Sequence, residues 1–259
     1  MALKVNNLIG DVTGFPVFAG GGPRVLGFAT PDEIDLEDGS LSSFPWGVWG
    51  LDGNDTIGGS SDSNERLLGN NGNDVIGGGG GNDIIYGGKD GDAVDGNEGN
   101  DLVRGDAGND IIFGGFGSDI LRGGQGDDDL DGNEGNDFLA GDRGVDVLTG
   151  SLGGDIFVLR SNDEFGVQGA DVITDFNFDE GDRIGLTDGL TELDLFFEDD
   201  NLIAYDNDGI LNDMVISNRR DGRIVGVVLN TNSFELTGAF EQASPFALAV
   251  NGSQFQFLA

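Results

Sequence analysis

The chain has 259 residues and contains no cysteine and no histidine. Lysine and arginine are scarce, 12 against 48 aspartates and glutamates, and the formal net charge is −36. Each absence excludes something. Without cysteine there is neither a disulfide framework nor thiolate chemistry, and the thiols give no clue to redox compartment. Without histidine there is no Ser-His-Asp triad, no His-Glu-x-x-His zinc site and no imidazole proton shuttle. So few cations on so acidic a chain exclude tracking of a phosphate backbone and polybasic docking to anionic lipid.

No run of about 18 apolar residues occurs, so no helical membrane span is expected. The start, Met1-Ala2-Leu3-Lys4-Val5-Asn6-Asn7, lacks the apolar core of a cleaved secretory signal, so any export is expected to use another route. Apolar residues make up 37% of the chain and charged residues 23%, which sets it apart from a disordered polyanion. The length allows one or two domains.

What the chain has in quantity is glycine, 49 residues, most of them between Gly50 and Val158. They recur with a period of nine. Units in unbroken register start at Gly69, Gly78, Gly87, Gly96, Gly105, Gly114, Gly123, Gly132, Gly141 and Gly150. The sixth position of every unit is aspartate: Asp74, Asp83, Asp92, Asp101, Asp110, Asp119, Asp128, Asp137, Asp146 and Asp155. The eighth is always large and apolar, from Ile76 and Ile85 to Leu148 and Phe157. Upstream, the unit from Gly50 supplies Asp55. The segment Ser60 to Leu68 fits after one inserted residue, Gly59, with Glu65 in the aspartate column. Each unit reads as a six-residue turn followed by a three-residue strand with one inward side chain. Glycine at the first position, and usually at the fourth, is expected to give positive φ and close backbone approach. Strands this short must stack to share their apolar column, which makes the segment a solenoid.

The pattern resembles the repeats-in-toxin (RTX) family of bacterial proteins, whose nonapeptide is Gly-Gly-x-Gly-x-Asp-x-U-x, with U a large aliphatic residue. The resemblance implies an all-β, right-handed parallel β-roll with short β-rich caps, in which two nonapeptides make one coil. It also implies calcium between turns two repeats apart, held by sixth-position carboxylates and first-position backbone carbonyls. Carried onto this sequence, the pairs are Asp74 with Asp92, Asp83 with Asp101, Asp92 with Asp110, and Asp101 with Asp119. Asp110 with Asp128, Asp119 with Asp137, Asp128 with Asp146, and Asp137 with Asp155 complete about eight Ca²⁺ sites. The carbonyl donors implied are those of Gly69, Gly78, Gly87, Gly96, Gly105, Gly114, Gly123, Gly132 and Gly141. Asp55 belongs to the same column, although the insertion at Gly59 is expected to skew the first coils. Asp90, which replaces a fourth-position glycine, is expected to weaken or re-aim its turn.

Other motifs fail on inspection. Asp127-Asp128-Asp129-Leu130-Asp131-Gly132 opens like an EF-hand, but the twelfth position is Phe138 and no helical pattern flanks it. Gly77 to Gly81 lead into no Gly-Lys-Ser/Thr. No nucleophile elbow occurs, and the reading is that the chain is not an enzyme. Asp52, Asp95, Asp106, Asp127, Asp129, Asp131 and Asp142 lie off the column and are expected to face solvent.

The boundaries read as an N-terminal cap over 1–49, the repeat roll over 50–158, and a C-terminal cap over 159–259. Strands are expected around Pro16–Gly20, Pro23–Phe28, Leu202–Tyr205, Met214–Ser217 and Arg223–Val228, the last two as a hairpin. Phe176 and Ile184 are expected to cover the last coil. The apolar end, Gln254 to Ala259, agrees with the uncleaved C-terminal signal of relatives exported by a type I secretion apparatus. The function expected is a secreted calcium-binding β-roll at the cell surface or in the extracellular space, folding on extracellular Ca²⁺. The alternative is a carbohydrate-binding module for extracellular polysaccharide, with Trp46, Trp49 and Tyr86 as its platform.

Overall fold

Strand pairing in the computed structural model follows the period of the sequence. The structure describes residues 4–6, 25–26, 31–35, 47–160, 170–187, 195–199, 213–219, 224–229 and 240–242. Successive units alternate between two sheets, so each strand pairs in parallel with the strand 18 residues away. Leu102 faces Ile120 and Val103 faces Leu121 in one sheet, while Ile111 faces Asp129 and Ile112 faces Leu130 in the other. The result is a twelve-stranded and a ten-stranded sheet wound as a parallel β-roll, with no helix among the described residues. The expectation of an all-β roll is met.

Between the sheets runs a single file of eighth-position side chains. Ile57, Leu67, Ile76, Ile85, Val94 and Val103 lead into Ile112, Leu121, Leu130, Leu139, Leu148 and Phe157, all essentially inaccessible. The file is longer than the periodic segment. Upstream, Ile34 on the strand Glu33–Asp35 stacks in parallel on Ile57, and Val48 stacks on Leu67. Downstream, Ile173 stacks on Leu148 and Ile184 on Phe157. Phe176 packs beside this end with its ring centroid 6.3 Å from that of Phe157. Beyond it, Met214–Asn218 and Ile224–Val228 form the expected antiparallel pair, and the second of these joins Asp171–Ile173 in parallel. The strands expected at Pro16–Gly20 and Leu202–Tyr205, the side chain of Trp46 and the apolar terminus lie outside the described residues.

The turns are shorter than the spacing predicts. Most units have a six-residue strand, as in Leu102–Ala107 and Ile120–Gln125, because positions one to three of the next unit continue the ladder. The chain kinks there without leaving the sheet. The kink is a left-handed residue at the second position: Asn70, Asn97, Asp106, Asn133 and Asp142 have φ between 66° and 82°. Asparagine and aspartate tolerate that region better than other side chains. Positive φ thus falls on positions two and four, and the first-position glycines do not need it. Asp90 adopts the same sign as the glycine it replaces, with φ 69°, so its turn keeps its course. The insertion at Gly59 is absorbed in one turn, and Ile57 still faces Ile76.

One buried aliphatic side chain per nine residues makes a thin core, and each carries a large share of its coil. Leu121→Ala is expected to lower the unfolding free energy of the calcium-loaded protein by about 2–5 kcal/mol, the usual range for buried leucine. Val75→Ala, at a side chain 54% exposed, is expected to change it by less than about 0.5 kcal/mol. Urea midpoints of the two variants check this.

Candidate metal centre

Each sixth-position aspartate ends a turn and directly precedes a strand, with its side chain turned inward. All ten from Asp74 to Asp155 are at most 2% exposed. One carboxylate oxygen is spoken for. The backbone N–H of Asp74 donates to Oδ1 of Asp92 at 2.8 Å, that of Asp83 to Asp101 at 2.7 Å, and that of Asp119 to Asp137 at 2.8 Å. The same bond joins all eight expected pairs, so the roll brings every one of them together. It also extends past the periodic segment. Asp32 donates to Asp55, Asp55 to Asp74, Asp146 to Asp171 and Asp155 to Asp182. Asp32, Asp171 and Asp182 therefore stand in the column. The sequence signal that finds them is an aspartate two residues before a buried isoleucine: Ile34, Ile173 and Ile184.

In nine aspartates of the column the other carboxylate oxygen has no protein partner. Oδ2 of Asp55, Asp74, Asp83, Asp92, Asp101, Asp110, Asp119, Asp128 and Asp137 is buried without a hydrogen bond. It points at the first-position glycine five residues earlier, where a side chain would collide with it. At Gly114 an added Cβ would lie 2.6 Å from Oδ2 of Asp119 and 2.6 Å from the carbonyl oxygen of Gly132, one coil on. Gly69 and Gly96 face the same combination, with the carbonyls of Gly87 and Gly114. The first-position glycine thus leaves open a small cradle lined by a carboxylate and a carbonyl.

A buried, unpaired carboxylate oxygen is expensive, and its protonation behaviour shows the cost. Burial pushes Asp83, Asp92, Asp128 and Asp137 up to about 8, against the bonded amide and with help from neighbouring carboxylates. Burial likewise raises Asp101 and Asp155 to about 7, and Asp74, Asp110 and Asp119 to about 6. The column calls for a proton or a cation. Its donors are carboxylate and carbonyl oxygens, the ligands of a hard divalent ion. Among the described residues no three carboxylates converge, so carbonyls must supply most of the shell.

Glu65 departs from this arrangement. Its longer side chain folds back on its own turn, where Oε2 accepts the Ser60 amide and Oε1 accepts the Ser63 hydroxyl at 2.6 Å. Both its oxygens are satisfied within the protein.

A second ladder, which sequence reasoning missed, runs along the fifth position on the exposed rim. The Asn64 side-chain oxygen accepts the Asn82 amide at 2.9 Å, Asn82 accepts that of Asn100, and Asn100 that of Ser118. It bonds in the opposite chain direction to the aspartate ladder, so each coil is tied to both neighbours. The only signal for it is the recurrence of Asn before the column Asp. Asp142, expected to face solvent, is 7% exposed and takes two bonds from Arg122, at 2.8 and 2.7 Å, and an ion pair from Arg160. Trp49 lies half-buried on the strand Val48–Asp52, and Tyr86 sits between the guanidinium groups of Arg66 and Arg104.

Residues 60–94, 95–130 and 122–157 match the family model described as RTX calcium-binding nonapeptide repeat, four copies. The chain carries RTX calcium-binding repeats. The match falls on the coils where the orphaned oxygens line up, and it supports Ca²⁺ as the ion an RTX array of this kind binds. No curated protein was found to match the chain.

The RTX column makes the metal-free roll acid-stabilised. The carboxyls from Asp74 to Asp137, and that of Asp155, ordinarily titrate near 3.8 and here titrate between about 6 and 8, so the folded state binds protons more tightly than the unfolded one. That contribution is whole below 3.8 and lost as the pH rises through 8. In chelator, far-UV circular dichroism is expected to show more β-structure at pH 5 than at pH 8.5, and added Ca²⁺ is expected to remove the difference.

Proposed function

We propose that this protein is a secreted, non-enzymatic calcium-binding β-roll that folds as it meets extracellular Ca²⁺ and then serves a structural role at the cell surface. The observation that carries the reading is the row of buried Asp Oδ2 atoms with no protein partner, those of Asp55, Asp74, Asp83, Asp101, Asp119 and Asp137 each facing a glycine that also faces a backbone carbonyl. In this reading the ligands are the carboxylates from Asp55 and Asp74 through Asp155 and the first-position carbonyls from Gly69 through Gly141. Eight ions sit between the eight bonded pairs. The ion supplies the positive charge that the column lacks; the chain supplies the oxygens and the 18-residue spacing.

Affinity follows from the donor set. With at most two carboxylates per ion and the rest carbonyls, the sites fall in the range of about 10⁻⁴–10⁻³ M typical of extracellular modules. Such sites stay empty at the low free calcium of a cell interior and fill outside. Empty, the column repels itself and opposes closure of the coils; filled, binding free energy becomes folding free energy. Eight divalent ions bring the formal net charge from −36 to about −20. A chain that stays expanded until exported suits threading through a type I secretion apparatus. The non-repeating segments 1–49 and 159–259 act as caps on the open ends of the roll, which otherwise offer unpaired strand edges.

Calcium titrated into chelator-treated protein at pH 7.5 is expected to convert coil to β-structure cooperatively, with a midpoint in the range of about 0.1–1 mM. Magnesium, which demands a stricter octahedron and gives up water reluctantly, is expected to fail at the same concentrations. A spectrum unchanged up to about 10 mM Ca²⁺ contradicts the proposal.

A further inference from the structure

The two outer faces of the roll are not alike. Arg66, Lys89, Arg104, Arg122 and Arg143 all lie on strands of the ten-stranded sheet. Arg160 directly follows a strand of that sheet and Arg183 opens another, which accounts for every lysine and arginine between residues 47 and 187. The twelve-stranded sheet carries none of them. Its outer face instead bears Asp95, Glu98, Asp129, Asp131 and Glu134. Three acidic residues, Asp52, Asp106 and Asp142, sit on the basic face, and the last two are engaged by Arg104 and by Arg122 with Arg160. The exposed ends of Arg66, Lys89 and Arg143 remain turned to solvent.

Apolar side chains accompany both charge patterns. On the acidic face Phe113 is paired between Asp95 and Asp131, and Phe116 between Glu98 and Glu134. Phe116 is 57% exposed, Ile111 48% and Val75 54%, and a groove of about 620 Å³ runs beside Phe116 between Glu98 and Glu134. Large apolar surface left open and framed by one sign of charge marks an interaction site. The basic face answers it with a half-buried column, Ile84, Ile120 and Ile156, running beside the cations.

We infer that the acidic, phenylalanine-bearing face of one roll docks on the basic face of a second copy of this chain. Charge complementarity selects the partner, because the molecule itself presents the cationic and apolar counterpart on the same coil spacing of about 4.8 Å. The net charge opposes the approach, but only within a Debye length of about 8 Å at physiological ionic strength, so the facing charges decide. The contact is heterologous: each pair keeps one face of each kind free, and the assembly grows as an open row rather than a closed dimer. Five strands at that spacing and about 20 Å of strand length give roughly 500 Å² per face, short of the ~800 Å² of a standard stable interface. Association is therefore weak and concentration-dependent, suited to a crowded surface layer.

Sedimentation velocity on the full chain in 2 mM Ca²⁺ tests this, with circular dichroism reporting separately that the roll is folded. At the lower salt of 0.15 M NaCl the sedimentation coefficient is expected to rise between 10 and 300 μM protein, and in 0.5 M NaCl the rise is expected to be strongly reduced. Glu98→Lys with Glu134→Lys cancels most of the acidic face's charge, and Lys89→Glu with Arg143→Glu cancels that of the basic face. Neither variant is expected to self-associate, while an equimolar mixture of the two regains association. A folded wild-type protein that stays monomeric at 300 μM in low salt overturns the inference, as do variants that associate like the wild type.

Discussion

Everything in this roll hangs on a single carboxylate placed between two coils. One oxygen of each column aspartate from Asp92 to Asp155 is fixed by the backbone amide of the aspartate 18 residues earlier, which sets the spacing of the coils. In those from Asp92 to Asp137 the other is buried and unpaired, aimed at a glycine. The first bond makes the solenoid geometrically exact in period; the second oxygen makes it energetically incomplete. A buried carboxylate with one bond too few costs stability that a bound cation can return, and the coils that carry it match a calcium-binding repeat model.

The remaining features serve that arrangement. In the proposed reading a file of one apolar residue per unit is too thin to hold the coils closed against repelling carboxylates, which makes folding responsive to the ion. The left-handed residues at positions two and four let a nine-residue unit contain a six-residue strand and still reverse direction. The exposed asparagine ladder ties neighbouring coils in the opposite sense to the aspartate ladder. Glu65 shows the alternative: one extra methylene lets the carboxylate find serine partners on its own turn, and the orphaned oxygen disappears.

Much of this was legible in the sequence, because a strict period converts one good reading into ten. The parallel stacking, the buried aspartates and the inward apolar file all follow from columns of invariant chemistry. What escaped was whatever the period does not encode. The role of the second position was hidden because Asn, Asp, Ser and Gly share a conformation, not a side chain. Asp32, Asp171 and Asp182 extend the column, but the inserts between Ile34 and Val48, and between Phe157 and Ile173, break the count that would have found them. Asp142 looked like one more solvated acid; its burial depends on Arg122 and Arg160, which converge only when strands two and three units apart are laid side by side. The segregation of all the roll's cations onto one sheet is likewise invisible until alternate units are assigned to opposite faces.

The central claim is that calcium sits against the column oxygens and not among the outer acids. Anomalous scattering from a crystal of the calcium-loaded protein tests it most directly, since it locates each ion. The account predicts a row of peaks at the coil spacing, each within about 2.3–2.6 Å of a column carboxylate oxygen and of first-position carbonyls. Peaks confined to the outer face, around Asp95, Asp129 and Asp131, with none beside Asp83 to Asp137, would contradict it.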